Sequence, residues 1–270
     1  MERKMTINTS KYILFIVFFS TTLFAQSPYE TSWKKESWVM GGSLGISFLA
    51  ASLDDSLHAL TSTEIAALNN NEINIFDRWA TNFASENISK SSDILIAGCI
   101  AAPLGVMLAD SKMRNDWGSI TTMYVETALL ATFIPSFGKG TVKRVRPFMY
   151  NPDASPTLRG DVEGNRSFFS GHTTWAFASM TFLATVYSDY YPNSKYKSAV
   201  WISTMSAASA VGLLRIFSGA HFPSDVLVGA VVGSAIGIGI PYLHKVENTN
   251  VSILPNADAN QASISFQILF

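Results

Sequence analysis

Six apolar segments set the terms for any fold of this chain: 38–52, 94–109, 120–137, 173–187, 199–217 and 226–243. Each runs 15 to 19 residues and is rich in Ala, Leu and Met. That is too long for ordinary strands and suited to helices, whose apolar faces must then be covered by one another or by lipid. Composition narrows the choice. Only 14% of the 270 residues are charged, 48% are apolar and the mean hydropathy is +0.21, against about 25% charged residues in an ordinary soluble domain. A disordered chain is excluded, and a membrane is indicated. With a net charge of −1 there is no basic excess to draw nucleic acid. The single cysteine, Cys99, excludes an internal disulfide framework and a multi-thiolate zinc site.

The expected architecture is all-α, a single helical bundle of about six core helices over residues 26–250, with no linker or repeat to mark a second domain. Ahead of it, Arg3, Lys4 and Lys11 precede an apolar run over 12–24, with Ala25 in place for cleavage. Residues 1–25 therefore read as a secretory signal peptide, with an uncleaved anchor as the alternative. Either route leads to the bacterial cell envelope: the inner membrane with an outward-facing site, or the periplasm. Residues 251–270 form a C-terminal tail, whose end, ISFQILF, is either a lone strand or frayed.

Two further segments carry expectations. Over 61–89, a polar stretch is followed by Ile75, Phe76, Trp79 and Phe83 at near-helical spacing, which predicts an amphipathic helix lying on something apolar as a cover. Segment 226–243 holds no charge and sets Gly229, Gly233 and Gly237 four apart, a ridge that lets another helix approach closely. It suits a membrane span or a tightly packed buried helix. Parity bears on sidedness: if 38–52, 94–109 and 120–137 all cross, the polar patches beyond Phe137 lie on the cytoplasmic side. A peripheral 38–52 returns them to the outer face.

Scarce polar residues gather in three patches at the ends of these segments: Lys139 with Arg146 and Pro147, Ser170-Gly171-His172, and Arg215 with His221 and Asp225. Singly, each has a plain reading, as a basic loop, a helix cap and a structural pair. Together they suggest a phosphate site. Lys139, Arg146 and Arg215 offer three positive charges, two of them guanidinium forks suited to oxyanions. Ser170 and Gly171 stand where the first N–H groups of a helix lack partners. His221 and His172 can serve as nucleophile and acid, and Asp225, four residues after His221, can accept a hydrogen bond from its ring N–H and orient the other nitrogen outward. No metal or other cofactor is called for.

The order Lys-x6-Arg-Pro, Ser-Gly-His, Arg-x5-His-x3-Asp resembles the signature of the type-2 phosphatidic acid phosphatase superfamily, which includes bacterial class A acid phosphatases and vanadium haloperoxidases. The resemblance covers residues 139–225 and implies an all-helical phosphatase in which Lys139, Arg146, Arg215, Ser170 and Gly171 hold phosphate. It further implies that His221 forms a phosphohistidine, Asp225 orients it and His172 is the general acid. Two positions depart from the pattern: Phe169 replaces the usual Pro before Ser-Gly-His, and Leu214 the usual Ser before the third-motif Arg. The expected substrate is a phosphate-bearing lipid, such as phosphatidic acid, phosphatidylglycerol phosphate, an isoprenoid diphosphate or a lipid A phosphate. A small phosphomonoester for a soluble periplasmic enzyme is the alternative, and a noncatalytic membrane protein a third reading. Membrane contact is expected, nucleic acid is not, and the turn-rich stretch 151–167 is expected to shape the entrance.

Overall fold

The computed structural model describes residues 27–54, 59–246, 251–258 and 261–268, the last two stretches by their backbone. The signal-peptide expectation lies outside the described residues. Among these there are ten helices: α1 Trp33–Asp54, α2 Ser62–Ala66, α3 Ile75–Arg78, α4 Glu86–Ala109, α5 Ser111–Asn115, α6 Trp117–Val142, α7 Pro156–Arg159, α8 Gly171–Tyr190, α9 Lys197–Phe217 and α10 Pro223–His244. Each apolar segment seen in the sequence lies within one of the six long helices. The helix starts follow capping chemistry. Ser85 accepts from Ile88 N at the head of α4, and Ser170 from Thr173 N at the head of α8. Pro223 opens α10, where Asp225 accepts the Phe222 N–H. Helix α6 stops at Lys143, which takes the left-handed conformation with φ 49°.

Helix α8 is the axis of the bundle and packs against α4, α6, α9 and α10. Its buried face is shared by two apolar clusters, one around Met123, Tyr124, Phe182 and Ile240, the other around Ile96, Met180, Leu183 and Val211. The α10 glycine ridge lies on α8: a Cβ at Gly233 would stand 2.4 Å from Thr174 O, and one at Gly237 2.3 Å from Ala178 O. Only a residue without a side chain permits that approach.

Four helices, α4, α6, α9 and α10, are long and apolar enough to cross a membrane. Large apolar side chains on the bundle's outside, including Ile94, Ile202, Leu227 and Val231, are 56–77% exposed, as a lipid-facing surface requires. Helix α1 is not among those four, and it packs along α6. Its Glu36 meets His244 at the end of α10, and its Leu53 lies against Gly140 near the end of α6. It therefore runs the length of the bundle alongside α6.

Two expectations are corrected. In the segment read as an apolar-faced cover, Ile75, Phe76 and Trp79 are 85%, 55% and 41% exposed, while Asp77 is buried. Asp77 accepts hydrogen bonds from Arg144, from Asn74 and from both the backbone and hydroxyl of Ser224. The polar side of the segment thus also holds the protein: Ile75 and Phe76 face outward, whereas Trp79 and Phe83 form a ring cluster with Phe217 at the end of α9. At the C-terminus the strand is not alone: β1 Val251–Asp258 pairs antiparallel with β2 Gln261–Ile268.

Candidate phosphate-binding site

All three motif patches fall at one end of the bundle. Lys139 and Arg146 come from the end of α6 and the loop beyond it, His172 from the first turn of α8, Arg215 from the last turn of α9, and His221 from the turn before α10. That turn depends on Gly219 at φ +75°, where a Cβ would stand 2.0 Å from Phe83 O. The five side chains line one cavity of about 240 Å³, to which the 151–167 stretch adds Leu158, Asp161 and Glu163.

The cations form its floor and the carboxylates its rim. Arg146 and Arg215 side chains are each 6% exposed, whereas Glu163 and Asp93 are 44% and 54% exposed. Arg146 donates through Nε to the Glu163 carbonyl and through a terminal nitrogen to its carboxylate at 2.7 Å. Arg215 donates to Ser89 and Ser92 hydroxyls at 2.9 and 3.0 Å and stands 3.6 Å from Asp93. Its buried Nε has no hydrogen-bond partner among the described residues, an unmet donor at an anion-suited spot. Burial pushes Glu163 up, but Lys139, Arg146, Arg166 and Arg215 outweigh it and hold its carboxyl below the usual range.

The two histidines are set differently. Nδ1–H of His221 donates to the Ser167 carbonyl at 2.7 Å, which leaves the lone pair on Nε2. Burial, then Arg146, Arg215 and Lys139, hold His221 well below the usual histidine range, so its ring is neutral. His172 donates through Nε2 to Asp93 at 2.9 Å. Burial and Arg215 bring it down to about 4 against the opposing pull of Asp93. A phosphate anion in the cavity would offset Arg215 and favour the protonated ring.

Three site residues take positions that spacing did not foretell. The direct His221–Asp225 hydrogen bond is not formed. Asp225 accepts from the Ser167 hydroxyl, Phe222 N and Arg144, and the carbonyl of the same Ser167 accepts from the His221 ring. The Ser170 hydroxyl is spent on capping α8 and on Thr173, away from the cavity lining. Gly171 lies beside Lys139, whose Nζ would be 3.7 Å from a Cβ there.

Sequence reasoning missed Asp93, Ser89 and Ser92 on α4, and Arg144. The first three support His172 and Arg215 from more than 75 residues upstream, with no motif to flag them. Arg144 lies inside the first patch, passed over as part of a basic loop. It bridges the buried carboxylates of Asp77 and Asp225 at 2.8 and 2.6 Å, with its guanidinium 4.0 Å from the Phe222 ring. Phe169, at the position of the expected proline, is buried against Gly138.

Residues 121–248 match the model of the PAP2 superfamily. Over 165 residues the chain is 29% identical to the probable diacylglycerol pyrophosphate phosphatase 1 of Schizosaccharomyces pombe, covering 51% of this chain and 59% of that one. Over 82 residues it is 38% identical to the lipid A 1-phosphatase of Porphyromonas gingivalis, covering 30% and 17%. The match spans less than two thirds of the length of each of these curated relatives. A crystal structure of a transmembrane PAP2-type phosphatidylglycerolphosphate phosphatase from Bacillus subtilis shares a TM-score of 0.45 at 20% identity, over 77% of this chain and 96% of that one.

Proposed function

We propose that this chain, whose residues 121–248 match the PAP2 superfamily model, is a PAP2-type, membrane-bound phosphatase that hydrolyses a lipid-borne phosphate monoester through a phosphohistidine on His221. The observation that carries the reading is the convergence of Lys139, Arg146, Arg215, His172 and His221 in one cavity at the end of an apolar bundle.

The chain's own groups supply each role. Lys139 and the two guanidiniums bind the phosphoryl oxygens and stabilise the charge that builds on them in the transition state. Nε2 of His221 attacks phosphorus; the N–P bond forms as the ester P–O bond breaks, and His172 gives its proton to the departing alcohol oxygen. Water then attacks the phosphohistidine, with His172 taking the water's proton, and inorganic phosphate leaves. Asp225 and Ser167 keep His221 in the tautomer with Nε2 free. A lipid substrate is supported by the four span-length helices and by relatives named as lipid phosphatases. Phosphate release by the purified protein from a panel of lipid phosphates and soluble phosphomonoesters, run beside His221→Ala, tests the proposal. Lipid phosphates should be preferred, with the substitution lowering turnover at least ~10³-fold. Equal turnover by the variant would end the proposal, and preference for soluble esters would favour a broad acid phosphatase.

A further inference from the structure

At the other end of the bundle, Glu36 of α1, Glu126 of α6 and His244 of α10 bring three ligand-type atoms within 4.8 Å of one another. His244 is fully buried and Glu126 is 1% exposed. Nδ1–H of His244 donates to the Ile240 carbonyl at 2.9 Å, so the lone pair of the neutral ring sits on Nε2. That nitrogen faces Glu36 Oε2 at 3.3 Å and Glu126 Oε2 at 3.4 Å. Neither oxygen of Glu126 receives a hydrogen bond from the described residues. Three ligand-type atoms thus converge, two of them carboxyl oxygens, in the interior of a membrane-type bundle, where unpaired charge is costly.

We propose that Glu36, Glu126 and His244 bind a divalent, zinc-like ion that ties α1, α6 and α10 together. Two ligands on a tetrahedral ion with bonds of about 2.1 Å stand about 3.4 Å apart, which matches both distances from Nε2. Charge-assisted hydrogen bonds are shorter, about 2.7–2.9 Å, as in the Arg144–Asp225 and Lys245–Asp189 pairs at 2.6 Å. The ligand set also has its outer support: the histidine's second nitrogen donates to a carbonyl, and Glu36 Oε1 accepts from Ser32 N. A single proton would leave net negative charge on the cluster, whereas a divalent ion balances both carboxylates. The site is structural and separate from the phosphate cavity, and the inference does not depend on the proposed reaction.

The test is metal analysis of the full chain purified in detergent without chelators and then loaded with zinc. About one ion per chain should survive gel filtration, and Glu126→Gln and His244→Ala should each lose at least ~90% of it. Loading the wild type with cobalt(II) instead should give visible absorption of tetrahedral strength, a readout that needs no variant to fold. Prolonged chelation should lower the wild-type unfolding temperature, reversibly on adding zinc. Zinc-loaded wild type without stoichiometric metal, or variants that keep it, would overturn the proposal and leave the cluster to a shared proton.

Discussion

The two ends of this bundle both bury ionisable groups, but one lines an open cavity with cations and the other encloses a carboxyl–histidine cluster. At the phosphate end, Arg146 and Arg215 lie on the floor of an open cavity, and their carboxylate partners stand half in solvent. At the other end, Glu126 and His244 are enclosed, at 1% and 0% exposed. Buried charge that must exchange its partner needs a mobile, solvated counter-ion, whereas buried charge that only holds helices together can be sealed. The same scaffold therefore reads as a working end and a clasp.

The contrast breaks first, and most strongly, through substitution. Arg146→Ala should lower turnover ~10²–10³-fold, with an unfolding temperature within a few degrees of wild type because its partner Glu163 is already partly solvated. Glu126→Gln should do the reverse, leaving kcat within about twofold while lowering the unfolding temperature. If both substitutions act on turnover alike, the two ends are not separate.

Arg144→Ala tests the support beneath the working end. It strands Asp77 and Asp225, 1% and 0% exposed at their side chains, and should cost ~3 kcal/mol, seen as a lower unfolding temperature in detergent. Gly237→Ala probes the packing that joins the ends: its Cβ would meet Thr181 Oγ1 at 2.1 Å, and a loss of ~1–3 kcal/mol is expected with no direct effect on the cavity. The smallest expected effect is a pH shift. His172 must carry a proton to serve as the acid, and in the free enzyme it is held down to about 4, so kcat/KM should decline as pH rises through the acid range. Asp93 opposes that depression, so Asp93→Asn should move the declining limb to lower pH by about one unit. A shift to higher pH would contradict the assignment.

How much of this was legible depended on sequence distance. Lys139, Arg146, His172, Arg215 and His221 announce themselves because each sits at a helix end in a compact pattern. Asp93 reaches the same cavity from α4 as one carboxylate among ordinary polar residues. Glu36 and His244, 208 residues apart, carry no spacing signal at all. The Ile75, Phe76, Trp79 and Phe83 stripe shows another limit: periodicity identifies a two-faced segment, but not that Trp79 and Phe83 pack on Phe217 while Ile75 and Phe76 face outward and the buried contact is made by Asp77. Asp225 shows a third, since four-residue spacing fixes proximity to His221 but not which group accepts the hydrogen bond from its ring N–H, and Ser167's carbonyl does so instead.

The central claim is that His221 takes the phosphoryl group in covalent form. The direct measurement is rapid quenching of the purified enzyme during turnover of a lipid phosphate labelled at phosphorus, followed by mapping of protein-bound label. The account predicts label that survives alkali and is lost in acid, at up to one per chain, located on His221 and absent from His221→Ala. Steady turnover with no such label in the wild type, or the same label in His221→Ala, would contradict it.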